Sequence, residues 1–109
     1  MSLPENIYYK IIDPAGVSLG LNRCPIVRYR VGRWVHPLEP VEEGTGPGGL
    51  WVAKKRGGAL WMIQYCWRNY RRRVAVHLCM GGEVLYQHPK TGRTKLSKLF
   101  LLDEVKIPA

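Results

Sequence analysis

Apolar and polar positions alternate in two stretches of this chain and recur at helical spacing in a third. From Ile26 to Val31 the order Ile-Val-Arg-Tyr-Arg-Val puts Val27, Tyr29 and Val31 on one face and Arg28 and Arg30 on the other, because successive strand side chains point to opposite sides. That predicts a half-buried strand with a basic outer face, broken at Gly32. From Arg73 to Met80, Val74, Val76, Leu78 and Met80 alternate with Arg73, Ala75, His77 and Cys79. Gly81-Gly82 separates this run from Glu83–Gln87. Two glycines between alternating runs predict a tight hairpin, whose central residues need positive φ.

Between Gly57 and Tyr70 the period is helical. On a wheel of 100° per residue, Ala59, Leu60, Ile63, Cys66, Trp67 and Tyr70 share an arc of about 120°, the expected core face. Gln64, Arg68 and Arg71 face water, and Trp61 and Tyr65 lie off the core arc beside Arg68 and Arg72. Three more strands are expected. Asn6–Asp13 is rich in β-branched and aromatic residues and stops at Asp13-Pro14-Ala15-Gly16. Leu50–Ala53 is a short apolar run, and Lys95–Leu102 ends in Leu-Phe-Leu-Leu after a turn at His88–Gly92. The last three strands read as an antiparallel meander. His36–Gly49, crowded with Pro, Glu and Gly, reads as a long loop, functional or mobile at that length. The fold class expected is α+β: one domain over residues 1–109, a mostly antiparallel twisted sheet of five to six strands with one amphipathic helix packed on it.

Composition narrows the setting. A chain of 109 residues with 46% hydrophobic content can bury one core and is too apolar for disorder. No apolar run approaches the roughly 20 residues of a membrane span. The opening Met-Ser-Leu-Pro-Glu-Asn lacks the basic and apolar blocks of a signal peptide, so a cytoplasmic location is expected. Cys24, Cys66 and Cys79 include no Cys-x-x-Cys pair and read as plain thiols in a reducing compartment. His36 and His88 have no ligand at i+2 or i+4 and His77 has only Cys79 at i+2, so neither a metal site nor a cofactor is expected. Gly44–Gly49 is not followed by the Gly-Lys-Ser/Thr of a phosphate-binding loop. No catalytic set assembles from the sequence. His77 and Cys79 share a strand face, with a structural role expected, and Glu83 is the one carboxylate placed oddly enough to consider for acid–base work.

Charge changes the picture most. Seventeen Lys and Arg face eight Asp and Glu, a formal +9. No acid lies between Glu43 and Glu83, while Lys54, Lys55, Arg56, Arg68, Arg71, Arg72 and Arg73 do. Such a field attracts polyanions, and nucleic acid, DNA or RNA, is the expected partner. The seven bases would meet phosphates, and Trp61 and Tyr65 would stack bases. The bland counterpart is a solvated basic surface with the two aromatics tucked under the loop or a strand. The leading expectation is a small, basic, non-enzymatic nucleic-acid-associated protein. Two alternatives stay open. One is a protein-interaction or inhibitor module using the same helix face and the Pro/Gly loop. The other is an ADP-ribosyltransferase-like enzyme using NAD or a nucleotide, with Arg28, Glu83 and Tyr86 as its residues.

The order of short motifs also resembles a known group. Tyr9-Lys10-Ile11-Ile12-Asp13-Pro14, Tyr29-Arg30-Val31-Gly32, Gly49-Leu50-Trp51-Val52-Ala53, a helix, Val74-Ala75-Val76, Gly82-Glu83-Val84, Lys95-Leu96 and Leu101–Val105 follow one another. The series is similar to a family of small uncharacterised domains common in phages and prophages. Members of that family tend to run Tyr-Lys-Val, Tyr-x-Val-Gly-Lys, Gly-Phe-His-Ala-Cys, helix, two strands and a last strand. The resemblance implies the topology above and a mobile-element setting. At Trp51 and Ala53, where the family often has His and Cys-like residues, this chain departs, and no site residue is carried over.

Overall fold

A computed structural model describes residues 3–19, 26–38, 44 and 49–107. Among them are seven strands and one helix: β1 (Ile7–Ile12), β2 (Trp34–Val35), β3 (Leu50–Ala53), α1 (Arg56–Tyr70), β4 (Ala75–Gly81), β5 (Val84–Gln87), β6 (Arg93–Leu96) and β7 (Leu99–Val105). The fold is α+β. The strands form one antiparallel sheet in the order β2-β7-β4-β1-β3-β6-β5.

That order forces the sheet to roll. β7 and β6 stand four places apart in it, about 19 Å in a flat sheet at about 4.8 Å per strand. Yet only Ser97 and Lys98 separate them in the chain, and three residue steps reach at most about 11 Å. The sheet therefore curls toward a barrel. Its inner face gathers Tyr8, Ile12, Val52, Cys79, Leu96, Leu99 and Leu101 into one core. The outer face holds a second core, where α1 sets Ala59 and Cys66 against Ile11, Ala53 and Val76. Both helix residues are fully buried. Met62, Ile63 and Tyr65 pack around them.

Several sequence expectations need correction. The described residues hold seven strands, because the run expected as one strand over Lys95–Leu102 breaks at Ser97-Lys98 and the short β2 takes the place of the strand expected over Ile26–Val31. Ile26–Val31 does not form a ladder. Val27 and Tyr29 do bury, but their backbone meets only a short turn: Ser18 N donates to Val27 O at 2.8 Å and Tyr29 N to Gly16 O at 2.7 Å. The sole bridge there is Val17 to Arg28, and Val31 is exposed. Gly81-Gly82 is not a hairpin turn either. β4 lies between β1 and β7, and β5 pairs only with β6, so the last strands make a single hairpin rather than a meander. Neither glycine takes positive φ. They are small because the sheet closes on them: a Cβ on Gly81 would stand 2.9 Å from both Tyr8 and Leu96, and one on Gly82 2.6 Å from Lys98 Cγ. The loop expected over 36–49 lies largely outside the described residues, as does Cys24.

The helix exists where the period placed it, but its buried face is rotated. Trp67 and Tyr70, expected inside, are 46% and 50% exposed, while Met62 packs inward. The sheet admits small side chains at the closest approach, Ala59 and Cys66, and the large rings are left at the margins. Two lysines also turn inward. Lys10 Nζ donates to Trp51 O at 2.9 Å and lies 5.1 Å from the centre of the Tyr29 ring. Lys95 is fully buried, its Nζ donating to Gly44 O at 3.2 Å. The sheet's interior thus takes up part of the formal charge.

Candidate nucleic-acid interface

The outward side of α1 is built from residues one and two turns apart. Trp61 is 61% exposed and stacks on Tyr65, four residues on, with centroids 5.1 Å apart and planes 20° apart, the spacing at which helix side chains meet. Tyr70 meets Tyr65 edge-on at 6.0 Å, and its hydrogen bond with Tyr65 pushes its hydroxyl above the ordinary range. The three rings form a row held at its middle ring, Tyr65, by the helix–sheet core. Gln64 and Arg68 stand exposed beside it. The guanidinium of Arg71 lies 5.6 Å from the centre of the exposed Trp67 ring.

The ends of α1 carry the charge. Lys54, Lys55 and Arg56 precede or open it and Arg71–Arg73 follow it. Fifteen residues at about 1.5 Å each separate the two clusters by about 22 Å, some six phosphate steps of a duplex strand at about 3.4 Å. The helix exits through Arg71 at φ 50°, ψ 38°. Its N–H donates to Trp67 O at 3.0 Å and that of Arg72 to Cys66 O at 3.2 Å, a left-handed closure in which glycine is the usual residue.

The structure divides the nine candidate residues. Arg56, Trp61, Arg68, Arg71 and Arg73 are exposed, and Tyr65 is half-buried. Arg72, expected to face solvent, is half-buried and turned inward: it pairs with Asp13 at 2.8 Å and also donates to Leu19 O. Lys54 Nζ donates to Pro4 O at 2.6 Å and Ile7 O at 2.9 Å and sits 4.9 Å from the Tyr8 ring centre. Lys55 Nζ reaches Lys90 O at 3.1 Å. Arg72 and Lys54 therefore anchor the helix to β1, and the outward cations are mainly Arg68, Arg71 and Arg73.

No activated catalytic group accompanies this surface among the described residues. Burial pushes the Cys79 thiol up to about 12, with Lys10 acting weakly against it. Burial likewise raises Cys66. His77 Nδ1 is 2.9 Å from Leu102 O, and no hydrogen bond joins His77 to Cys79. Glu83 is exposed. No hydrogen bond or ion pair joins any two of Arg28, Glu83 and Tyr86; Tyr86 meets Trp51 edge-on at 6.0 Å. No group of His, Cys, Asp and Glu among the described residues could hold a metal ion, and no helix there is long and apolar enough to cross a membrane.

Sequence reading placed Arg28 and Arg30 on a basic strand face but did not join them to Arg33, Trp34 and Leu38 in one surface. Arg28, Arg30 and Arg33 border a shallow depression with Trp34 and Leu38. The available signal was a stretch without acids from Pro14 to Leu38, holding three closely spaced arginines next to a tryptophan. Compared with protein-family models, with curated proteins and with solved structures, the chain has no match.

Proposed function

We propose that this protein is a non-enzymatic nucleic-acid-binding module that lays the outward face of α1 along a single strand. The observation that carries the reading is Trp61, 61% exposed and stacked on Tyr65, on a helix that contains no acid and has arginines beside and after it. Every base has a π-face, so an exposed ring row binds strands without reading sequence. Arg68, Arg71 and Arg73 contact phosphates. The motif order adds a mobile-element setting to this proposal. A protein partner docking on the same rings is the competing reading, and it makes a different prediction about salt.

Fluorescence anisotropy with labelled single- and double-stranded oligonucleotides, from low to physiological salt, tests it. Three phosphate contacts give a slope of about −2 in log affinity against log salt on a single strand and nearer −3 on duplex. The Arg68→Gln, Arg71→Gln, Arg73→Gln triple variant should lose most of that slope. Binding no tighter than about 1 mM at low salt, or a slope untouched by the triple variant, turns the assignment toward a protein partner.

A further inference from the structure

The depression missed in the sequence has the chemistry of a small-ligand site distinct from α1. We propose that it binds a nucleotide, with Arg28, Arg30 and Arg33 on the phosphate and the base against Trp34 and Leu38. It is an open depression of about 450 Å³.

The backbone that presents the arginines is tied down. Arg33 N donates to Arg30 O at 3.3 Å, closing a four-residue turn with Gly32 at φ 79° as its third residue. The ends of such a turn lie within about 7 Å, so the two guanidiniums spring from neighbouring Cα atoms. Gly32 N donates to Leu101 O at 2.8 Å and Leu101 N to Arg33 O at 3.3 Å, fixing the turn to β7. The Val17–Arg28 bridge holds the other side. None of the three guanidiniums has a carboxylate or carbonyl partner among the described residues. Each offers a planar fork of N–H donors that matches phosphate oxygens.

The remaining wall selects what the phosphate is attached to. Trp34 is 45% exposed, with Phe100 edge-on at 5.5 Å. Lys98 Nζ lies 4.5 Å from its ring centre and adds a further cation beside the site. Leu38 is 66% exposed, and Val27 and Val35 are buried at the base. An apolar ligand would leave three guanidiniums unused, and inorganic phosphate would leave the indole and Leu38 uncovered. A phosphate carried on a planar, partly apolar ring system uses both. The source is either a free nucleotide or the phosphorylated end of a strand.

The test is titration calorimetry on the full chain, with amide shifts followed by NMR. The probes are adenosine monophosphate, adenosine, inorganic phosphate, and a short oligonucleotide with and without a 5′-phosphate. Adenosine monophosphate should bind with a Kd below about 1 mM and shift amides across residues 28–35. Adenosine should bind at least about tenfold more weakly, the worth of one charge-assisted contact. Arg30→Gln with Arg33→Gln should weaken the nucleotide by about tenfold or more, and Arg30→Lys with Arg33→Lys should fall between. Arg28→Gln is a second variant if the double one fails to fold. Preference for the 5′-phosphorylated oligonucleotide over its hydroxyl twin identifies a strand end as the ligand; equal binding of the two identifies the free nucleotide. Equal affinity for nucleotide and adenosine, or for nucleotide and inorganic phosphate, overturns the proposal. So does nucleotide binding that survives loss of both arginines. The α1 triple variant leaves this site intact, so failure here and failure of the helix reading are separable.

Discussion

Arg72 and Asp13 join the exit of the helix to the end of β1, with Arg72 Nη2 2.8 Å and Nε 3.3 Å from the same carboxylate oxygen. The other oxygen accepts the Ala15 N–H at 2.9 Å. The Ala15 hydrogen bond first, and Arg72 second, hold the Asp13 carboxyl below its ordinary 3.8. A depressed carboxylate stabilises the fold above its unfolded pKa, and the effect disappears as pH falls through the folded value. The window is therefore below 3.8. Asp13→Asn should lower stability at neutral pH and flatten the acid limb of a circular-dichroism titration. An acid limb identical to that of the parent protein would show that the pair contributes nothing.

Arg71 occupies a left-handed conformation at which an L side chain costs about 1 kcal/mol. Arg71→Gly should raise stability by up to about 1 kcal/mol in urea unfolding, while weakening oligonucleotide binding and flattening its salt slope. Gain of stability with unchanged binding would mean that the arginine serves no phosphate.

Trp61 and Tyr65 should separate on the same assays. Trp61→Ala removes an exposed ring and should shift stability by no more than about 0.5 kcal/mol. Single-strand affinity should fall by about 1–3 kcal/mol with little change in salt slope. Tyr65→Ala opens the edge of the helix–sheet core and should lower stability by about 1–2 kcal/mol. If Trp61→Ala binds as tightly as the parent protein, the ring row is not a stacking platform.

Gly81→Ala tests why that glycine is there. A Cβ 2.9 Å from Tyr8 and Leu96 overpacks the inner core and should cost about 1–3 kcal/mol, read as a lower urea midpoint at constant slope. A neutral substitution would mean that the curled sheet has slack at this point.

The helix, β1, β3 and β4 were legible because each has a sustained period or a β-branched run set off by turn residues. Pairing was not. Gly81-Gly82 matches a hairpin signal locally, yet the same pair of small residues also suits a place where Tyr8 and Leu96 crowd the backbone. A short-range pattern cannot tell these apart. Hydrophobicity chose Trp67 for the core and overlooked Met62, because contact with a sheet depends on shape and Ala59 and Cys66 set the closest approach. Of the site, the wheel turned Arg68 to water and put Trp61 off the core arc, but left open whether Trp61 is covered by the loop or exposed. Arg72 could not be sorted from Arg71 and Arg73, since only the fold brings Asp13 to it. The strand expectation set Arg30 outward and stopped at Gly32, but only the fold shows the turn that brings Arg33 back beside Arg30.

The pairing of Ile12 with Ala75 and Ile7 with Met80 sets the timing of assembly. More than half the chain lies between β1 and β4, so the ribosome must release α1 and β4 before β1 can form its longest pairing; β3, made earlier, meets β1 only around Tyr9 and Ala53. Loop closure over that distance comes before any reward from the contacts, which places folding in the milliseconds-to-seconds range of non-local β topologies. Until β4 is made, Tyr8 and Ile12 lack their partners Cys79 and Ala75 on the β4 side. β4 in turn has no second flank until β7, near the end of the chain, is made.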